Sequence, residues 1–261
     1  MYIGFELNIL NNSFPDYYQV GKTIYDENKR TIKLELNKFL LPNGSLDGSK
    51  MQENWFPQVK ADIFISHSHA DESLAIRLAG WLYVEFGLIA FIDSCIWGYS
   101  NDLLKSIDNE YCQNSNAETY NYQKRNFSTS HVHMMLSTAL TMMIDKTECI
   151  FFLNTPNSIT ASEVISRTKS PWIYSEIATT KMIRKKSLSN YRIHRVTESF
   201  STGGSLKKSL DIEYEVNTDH LIQITNTHFI SWKRNWSYNK PHLSDYSQYA
   251  LDKLYNITTN Q

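Results

Sequence analysis

Cysteine is scarce in this sequence, and the few cysteines do not form a disulfide framework. The 261 residues contain three, Cys95, Cys112 and Cys149, whose spacings match neither a CxxC nor a CxH motif. Three cysteines cannot all pair, whereas small secreted folds use even numbers at regular spacings. We therefore expect a reduced, cytoplasmic protein, with Cys149 packed inside a strand.

The sequence also lacks the features of membrane proteins and nucleic-acid-binding proteins. No uninterrupted apolar run approaches the roughly 18 residues that cross a bilayer. Segment 1–14 has neither the basic region nor the apolar core of a signal peptide. The formal net charge is −1, whereas a nucleic-acid-binding face usually produces a basic excess. We expect neither a membrane nor a nucleic acid among its partners.

Glycine is sparse as well, and its placement excludes a phosphate-binding loop. The chain has nine glycines, and the one adjacent pair lies in STGGSLKK (201–208). This segment lacks both the spacing and the preceding strand of a P-loop. It predicts a flexible loop.

What the sequence does contain is an alternation of apolar strands and amphipathic helices. Short runs rich in β-branched and aromatic residues predict buried strands, and they occur at 62–66, 88–93 and 148–153. Helical patterns lie between and after them, at 71–87, 131–146 and 170–186. Residues 103–111 predict a short helix, and 120–130 resembles a loop. Residues 220–232 predict one or two late strands, and 245–255 a closing helix. This order predicts an α/β fold with a mainly parallel sheet. Ser66-His67, Asp93-Ser94 and Asn154-Thr155 follow three of its strands, and they should gather at the carboxyl edge, where such sheets bind ligands.

The first 57 residues show a different pattern. Segments 2–10 and 31–41 alternate apolar and polar residues, as half-buried strands do, and 42–50 is rich in turn formers. We therefore expect a small β-rich N-terminal extension at 1–57. The main domain would then span 58–261, with inserts near 110–130 and 187–219.

His67, His69 and Asp71 follow the first strand of the main domain and raise the question of a metal. They resemble the start of the HxHxDH signature of metallo-β-lactamase-like hydrolases. Glu72, however, occupies the position of that signature's second-metal histidine. His131 and His133 lie two residues apart on a predicted helix, where side chains face apart. A three-ligand site is therefore incomplete, and we predict no bound metal.

Glu176 lies within the apolar face of its predicted helix. At 100° per residue, it projects between Trp172 and Ile173, inside an arc of roughly 140°. A carboxylate in such a place needs a partner or a function, because burying it unpaired is costly. Two explanations remain open at this point, a structural ion pair with an Arg or Lys and a catalytic role.

Four motifs in this order resemble those of bacterial Toll/interleukin-1 receptor (TIR) domains. They are the strand ending FISHSHAD (64–71), the strand ending FID (91–93), the strand and turn ECIFFLNTPNS (148–158), and the helix start WIYSE (172–176). The resemblance covers about 58–186. It implies a flavodoxin-like sheet of about five parallel strands.

The resemblance also implies an activity. In active TIR domains, the glutamate of the WxxxE motif cleaves the nicotinamide–ribose bond of NAD⁺, and here that residue is Glu176. The residues that would line the NAD⁺ cleft are Ser66, His67, His69, Asp93, Trp97 and Trp172. NAD⁺ would be the substrate, and no cofactor is implied. Self-association would complete the site through the 94–106 loop, in which Trp97 and Tyr99 are expected to be exposed.

A stand-alone TIR protein of this kind is similar to the signal-producing component of Thoeris-type anti-phage systems. That similarity implies an ADP-ribose-derived product, cyclic or conjugated, and a separate effector protein that senses it. Two alternatives stay open. One is a non-enzymatic TIR adaptor with Glu176 in a structural pair, and the other is a metallohydrolase that uses His67, His69 and Asp71.

Overall fold

The computed structural model describes residues 1–28, 36–115, 119–161, 166–191, 214–238 and 247–259. The strands are β1 (Ile3–Asn8), β2 (Ile63–Ser66), β3 (Ala90–Ile92), β4 (Cys149–Leu153), β5 (Thr160–Ala161), β6 (Ser166–Thr168), β7 (Tyr214–Glu215) and β8 (Ile222–Thr225). The α-helices are α1 (Tyr18–Asn28), α2 (Gly48–Trp55), α3 (Glu72–Phe86), α4 (Ser94–Ile107), α5 (Tyr122–Lys146), α6 (Pro171–Met182), α7 (Asn226–Tyr238) and α8 (Ser247–Thr259). A π-helical turn, Asp108–Cys112, continues α4.

The main sheet has five parallel strands in the order β3-β2-β4-β1-β8. Its register aligns Ser66 with Phe152, Phe152 with Glu6, and Glu6 with Gln223. Side chains of registered residues in parallel strands point to the same face. The predicted α/β class and the mainly parallel five-stranded sheet of flavodoxin-like folds are confirmed.

The role of residues 1–57 differs from the predicted extension. Strand β1 lies between β4 and β8, inside the main sheet. The other regular elements described in this region are helical, including α1, α2 and the 3-10 turn Leu36–Phe39. The alternation in 2–10 correctly indicated a strand. It did not reveal that the strand joins the sheet, because pairing partners more than 140 residues away leave no local signal.

Helices cover both faces of the sheet, as the two neighbouring phenylalanines of β4 show. Phe151 packs edge-on against Phe5, with ring centroids 5.6 Å apart, and also meets Trp232 of α7. Phe152 points the other way, into a small cluster that includes Ile173 of α6. Because successive strand residues face opposite sides, this one strand contributes to two cores.

Helices α1 and α3 cross at two glycines. A Cβ atom added to Gly21 would lie 1.9 Å from the carbonyl oxygen of Ile76. One added to Gly80 would lie 2.2 Å from the carbonyl oxygen of Tyr17. The backbones therefore approach too closely for any side chain at these positions, and this contact fixes α1 on the main domain.

Several local predictions are corrected by the structure. Residues 122–130, expected in a loop, form the first turns of α5. The expected 94–106 loop is α4, and the region 220–232 is one strand, β8, followed by α7. Asp93 accepts a hydrogen bond from the Ser94 amide at 2.8 Å and so caps the start of α4. From the sequence, Asp93 was expected only in the NAD⁺ cleft. Within the insert at 187–219, residues 192–213 lie outside the described part of the chain, as does the 201–208 loop.

Candidate functional site

The carboxyl ends of β2 and β3 bring three polar side chains together. Ser66 ends β2, His67 follows it, and Asp93 follows β3. All three side chains are fully buried. Strand ends of neighbouring parallel strands meet at one edge of the sheet, which is where open α/β sheets bind ligands. The sequence predicted this gathering.

Helix α6 adds Glu176 to the same place. The Ser170 side chain accepts a hydrogen bond from the Ile173 amide, and Pro171 occupies the first turn. Glu176 then falls on the buried face of the helix and is 1% exposed. The Ser66 hydroxyl donates to its Oε2 atom at 2.6 Å. The predicted placement of Glu176 on the apolar face is confirmed.

A second short contact joins His67 to Asp93. Their Nδ1 and Oδ1 atoms are 2.5 Å apart, with both side chains buried. Oδ1 of Asp93 also accepts from the Ser94 amide. One oxygen of Asp93 therefore faces both the Ser94 amide and an imidazole nitrogen of His67.

Glu176 has no cationic partner among the described residues. No Lys, Arg or His nitrogen within those ranges lies within 4 Å of its carboxyl oxygens, and the hydrogen-bond partners of the carboxyl there are Ser66 and Asp93. The structural ion pair that the sequence left open is therefore absent from this part of the chain. The neighbour of Glu176 is another acid, Asp93.

Burial is the main cause that raises the pKa of Glu176 well above its ordinary value of 4.5. The negative charge of Asp93 raises the pKa further, and the Ser66 hydroxyl opposes the rise. Two carboxyl groups this close do not both ionise readily in a dry site. Burial and the neighbouring acid thus both favour the neutral form of Glu176.

The His67-x-His69-x-Asp71 motif does not converge on a common point. His67 turns towards Asp93, whereas His69 is exposed on a short 3-10 helix. Asp71 is buried, and it accepts hydrogen bonds from Thr155 at 2.5 Å and Asn157 at 2.8 Å. Across the described ranges, no three His, Cys, Asp or Glu side chains are grouped as metal ligands. Asp71 instead fixes the loop after β4.

The expected aromatic residues of the cleft have different positions. Trp172 is half-buried, and its ring meets that of His133 edge-on at 5.7 Å. Trp97 belongs to α4, and its side chain lies outside what the structure describes. Tyr99 was expected to be exposed but is fully buried. From the sequence, Tyr99 was expected in a loop. The sequence therefore did not predict that α4 directs the Tyr99 side chain inward.

Two polar contacts near this edge were not anticipated. Asn154 donates to the buried Glu6 of β1 at 2.6 Å. Tyr25 of α1 donates to Glu72 at 2.7 Å and lies 3.4 Å from the hydroxyl of Ser94. For the contact of Asn154 with Glu6, the turn residues after β4 were the only signal in the sequence. The contacts of Tyr25 had no signal, because α1 was not predicted.

The three cysteines are buried thiols. Burial raises the pKa of Cys149 well above its ordinary value, in agreement with its predicted place in the core of a strand. Burial also raises the pKa of Cys112. Raised values favour the thiol form over the reactive thiolate.

Comparison of the chain with family models, with curated proteins and with solved structures finds no match. In the part of the chain that the structure describes, no helix is long and apolar enough to cross a bilayer.

Proposed function

We propose that this chain is a cytoplasmic TIR-type enzyme that cleaves the nicotinamide–ribose bond of NAD⁺, with Glu176 as its catalytic residue. The observation that carries the proposal is the buried Glu176 carboxyl at the carboxyl edge of the sheet, held by Ser66 and paired with no cation among the described residues. Buried acids without a counter-ion are costly and cluster at functional sites.

The charge of the substrate supports this proposal. The nicotinamide ring of NAD⁺ is cationic, and cleavage passes through an oxocarbenium-like transition state with positive charge at the ribose carbon. Two neighbouring acids, Asp93 and Glu176, form a site that favours positive charge. An entering cation would replace the proton on Glu176, and the resulting carboxylate would stabilise the transition state in a water-poor pocket. Nicotinamide leaves as a neutral molecule, so no strong general acid is needed.

The binding part of the proposal assigns Ser66, His67, Asp93 and Trp172 to the NAD⁺ cleft. His69 and Trp97 remain proposed rim residues. Self-association through the region of α4 also remains proposed. The product would be an ADP-ribose-derived signal, cyclic or conjugated, that a separate effector senses in anti-phage defence of the Thoeris type.

One observation favours a second candidate, a non-enzymatic TIR adaptor. Ser66, His67, Asp93 and Glu176 are each 0–1% exposed, so the carboxyl is closed to solvent in this structure. Catalysis therefore requires α6 or α4 to move and admit NAD⁺. An adaptor requires no such opening.

Nicotinamide release from NAD⁺ distinguishes the two candidates. Purified protein is incubated with NAD⁺, and free nicotinamide and nucleotide products are measured by mass spectrometry. The enzyme proposal expects release from the wild type and its loss in Glu176→Gln. No release from a folded, self-associated wild type, at any protein concentration, would favour the adaptor.

A further inference from the structure

A large apolar groove lies between helices α2, α4 and α5, apart from the Glu176 site. Its volume is about 920 Å³, within the range of small-molecule pockets. The apolar side chains that line it are Leu46, Met51, Ile107, Tyr111, Phe127 and Met135. Phe127 is 70% exposed at its rim. Concave pockets of this volume with a mostly apolar lining are typical of small-molecule sites in soluble proteins.

Lys124 supplies the fixed charge among the described side chains that line the groove. Lys124 lines the groove, and its Nζ donates to the carbonyl oxygen of Tyr111 at 3.1 Å, which holds the ammonium at the rim. No Asp or Glu is among the lining side chains of the described residues. The nearest acid below the groove, Asp108, is occupied by Arg125 at 2.7 Å and by Ser128 at 2.6 Å. An unneutralised positive charge therefore stands beside an apolar surface.

The acid at the other end of the groove is neutralised as well. Asp47 accepts from the Lys50 amide at 3.0 Å as the N-cap of α2, and its second oxygen lies 3.5 Å from the Lys50 ammonium. A third acid, Glu110, is exposed and hydrogen-bonds to the side chain of Tyr111, which also lines the groove. A ligand with a negative head group would still meet Lys124, which forms no ion pair among the described residues.

We propose that this groove binds an anionic amphiphile, a long alkyl chain with a carboxylate head group that pairs with Lys124. The chain would lie on Met51, Ile107 and Met135, and the carboxylate would sit at the rim. Tail burial supplies affinity, and the single charge selects the head group. This site is independent of the NAD⁺ proposal.

Binding of saturated fatty acids of increasing length, measured by calorimetry below their micelle concentrations, tests the groove. Each pair of added methylenes should tighten the dissociation constant about 15-fold, until the chain fills the groove. The alcohol of the same chain length should bind at least about tenfold more weakly than the acid. Lys124→Gln should remove that difference, whereas Lys105→Gln, an exposed lysine of α4 outside the groove, should preserve it.

A substitution that fills the groove tests whether fatty acids bind there or elsewhere on the protein. A Cβ at Gly48 would lie 3.4 Å from the flexible Met135 methyl, so a larger side chain is directed at the lining. Gly48→Trp should abolish fatty acid binding, and Glu53→Trp on the exposed side of α2 should not. The proposal is overturned if fatty acids fail to bind, or if binding survives both Gly48→Trp and Lys124→Gln. It is also overturned if Gly48→Trp turns a dimer into a monomer, because a second copy would then occupy the groove.

Discussion

The Ser66 hydroxyl donates a 2.6 Å hydrogen bond to Glu176 across 110 residues of chain. This contact joins the end of a strand to the buried face of α6. It brings the carboxyl to the edge of the sheet without giving it a counter-charge. The first three of the following predictions depend on that.

Glu176→Gln should give a folded protein that does not cleave NAD⁺. The substitution keeps the volume of the side chain and removes its ability to ionise. We expect nicotinamide release to fall by at least about 100-fold, which corresponds to about 3 kcal/mol of transition-state stabilisation. Glu53→Gln, at an exposed position of α2, is the matched control and should keep wild-type turnover. A folded Glu176→Gln protein with wild-type turnover would contradict the catalytic assignment.

The same variant should become more stable than the wild type as the pH rises. The pKa of Glu176 is raised in the folded state, so its contribution to stability is fully present below the unfolded value of about 4.5 and is lost as the pH rises towards the folded pKa. Gln resembles the protonated acid and has no such loss. The difference in free energy of unfolding should grow by about 1.4 kcal/mol per pH unit in that window.

Denaturant titrations of both proteins from pH 4 to pH 8 measure this difference. At pH 4 the two proteins should have nearly equal stability. A constant difference across the range would show that Glu176 ionises in the folded protein much as it does in the unfolded chain. Glu53→Gln supplies the pH dependence of an exposed glutamate for comparison.

Asp93→Asn should lower the pKa of Glu176. The negative charge of Asp93 contributes to the rise of that pKa, so a neutral side chain should let Glu176 ionise at lower pH. If ionised Glu176 is the active form, the acid limb of the activity profile should move to lower pH. The Asp93→Asn protein should also be compared with the Asp93→Asn/Glu176→Gln double variant. The pH range over which these two differ in stability should be narrower than the range for the wild type and Glu176→Gln. If this pH range is unchanged, Asp93 has no effect on the pKa of Glu176, whatever happens to the activity.

Purified protein should contain no stoichiometric zinc or iron, and chelators should leave nicotinamide release unchanged. His67 is turned towards Asp93, and Asp71 is held by Thr155 and Asn157, so these side chains do not share a ligand position. Elemental analysis of the protein provides the measurement. About one equivalent of metal, lost together with activity in His67→Ala, would contradict this prediction.

Alanine at Gly21 or Gly80 should destabilise the fold. The new Cβ at Gly21 would overlap the Ile76 carbonyl of α3, and the one at Gly80 would overlap the carbonyl of Tyr17, just before α1. Backbone cannot move aside as a side chain can. We expect a loss of about 2 kcal/mol or more for each variant. Gly48→Ala is the control, since its Cβ would make ordinary contact with a flexible Met135 methyl. Thermal unfolding measures all three variants, and equal stability of the three would contradict the close crossing of α1 and α3.

The predictable part of the fold was the part encoded in local patterns. Apolar runs identified β2, β3 and β4, and the 3.6-residue period placed Glu176 on the buried face of α6. The shared edge of parallel strands then predicted that Ser66, His67 and Asp93 would meet. These inferences needed only residues close in sequence and one general rule of sheet topology.

What the sequence could not show depended on distant contacts. The pairing of β1 with β4 and β8 is such a case, and so is the crossing of Gly21 with Gly80. The absence of a cation beside Glu176 in the described residues also required the three-dimensional arrangement. The first turns of helix α4 were missed for a different reason. The TIR resemblance assigned 94–106 to a loop, and only 103–111 was predicted as a short helix.

The position of β1 has a consequence for how a newly made chain folds. Strand β1 can pair with β4 only after residue 153 has been synthesised, and its other edge stays open until β8 is complete at residue 225. At about 5–20 residues per second, those 72 residues take roughly 4–14 s on the ribosome. For that time an apolar parallel strand has an unpaired edge, the kind of surface that aggregates or recruits chaperones. The expression yield should therefore depend on translation speed between codons 153 and 225.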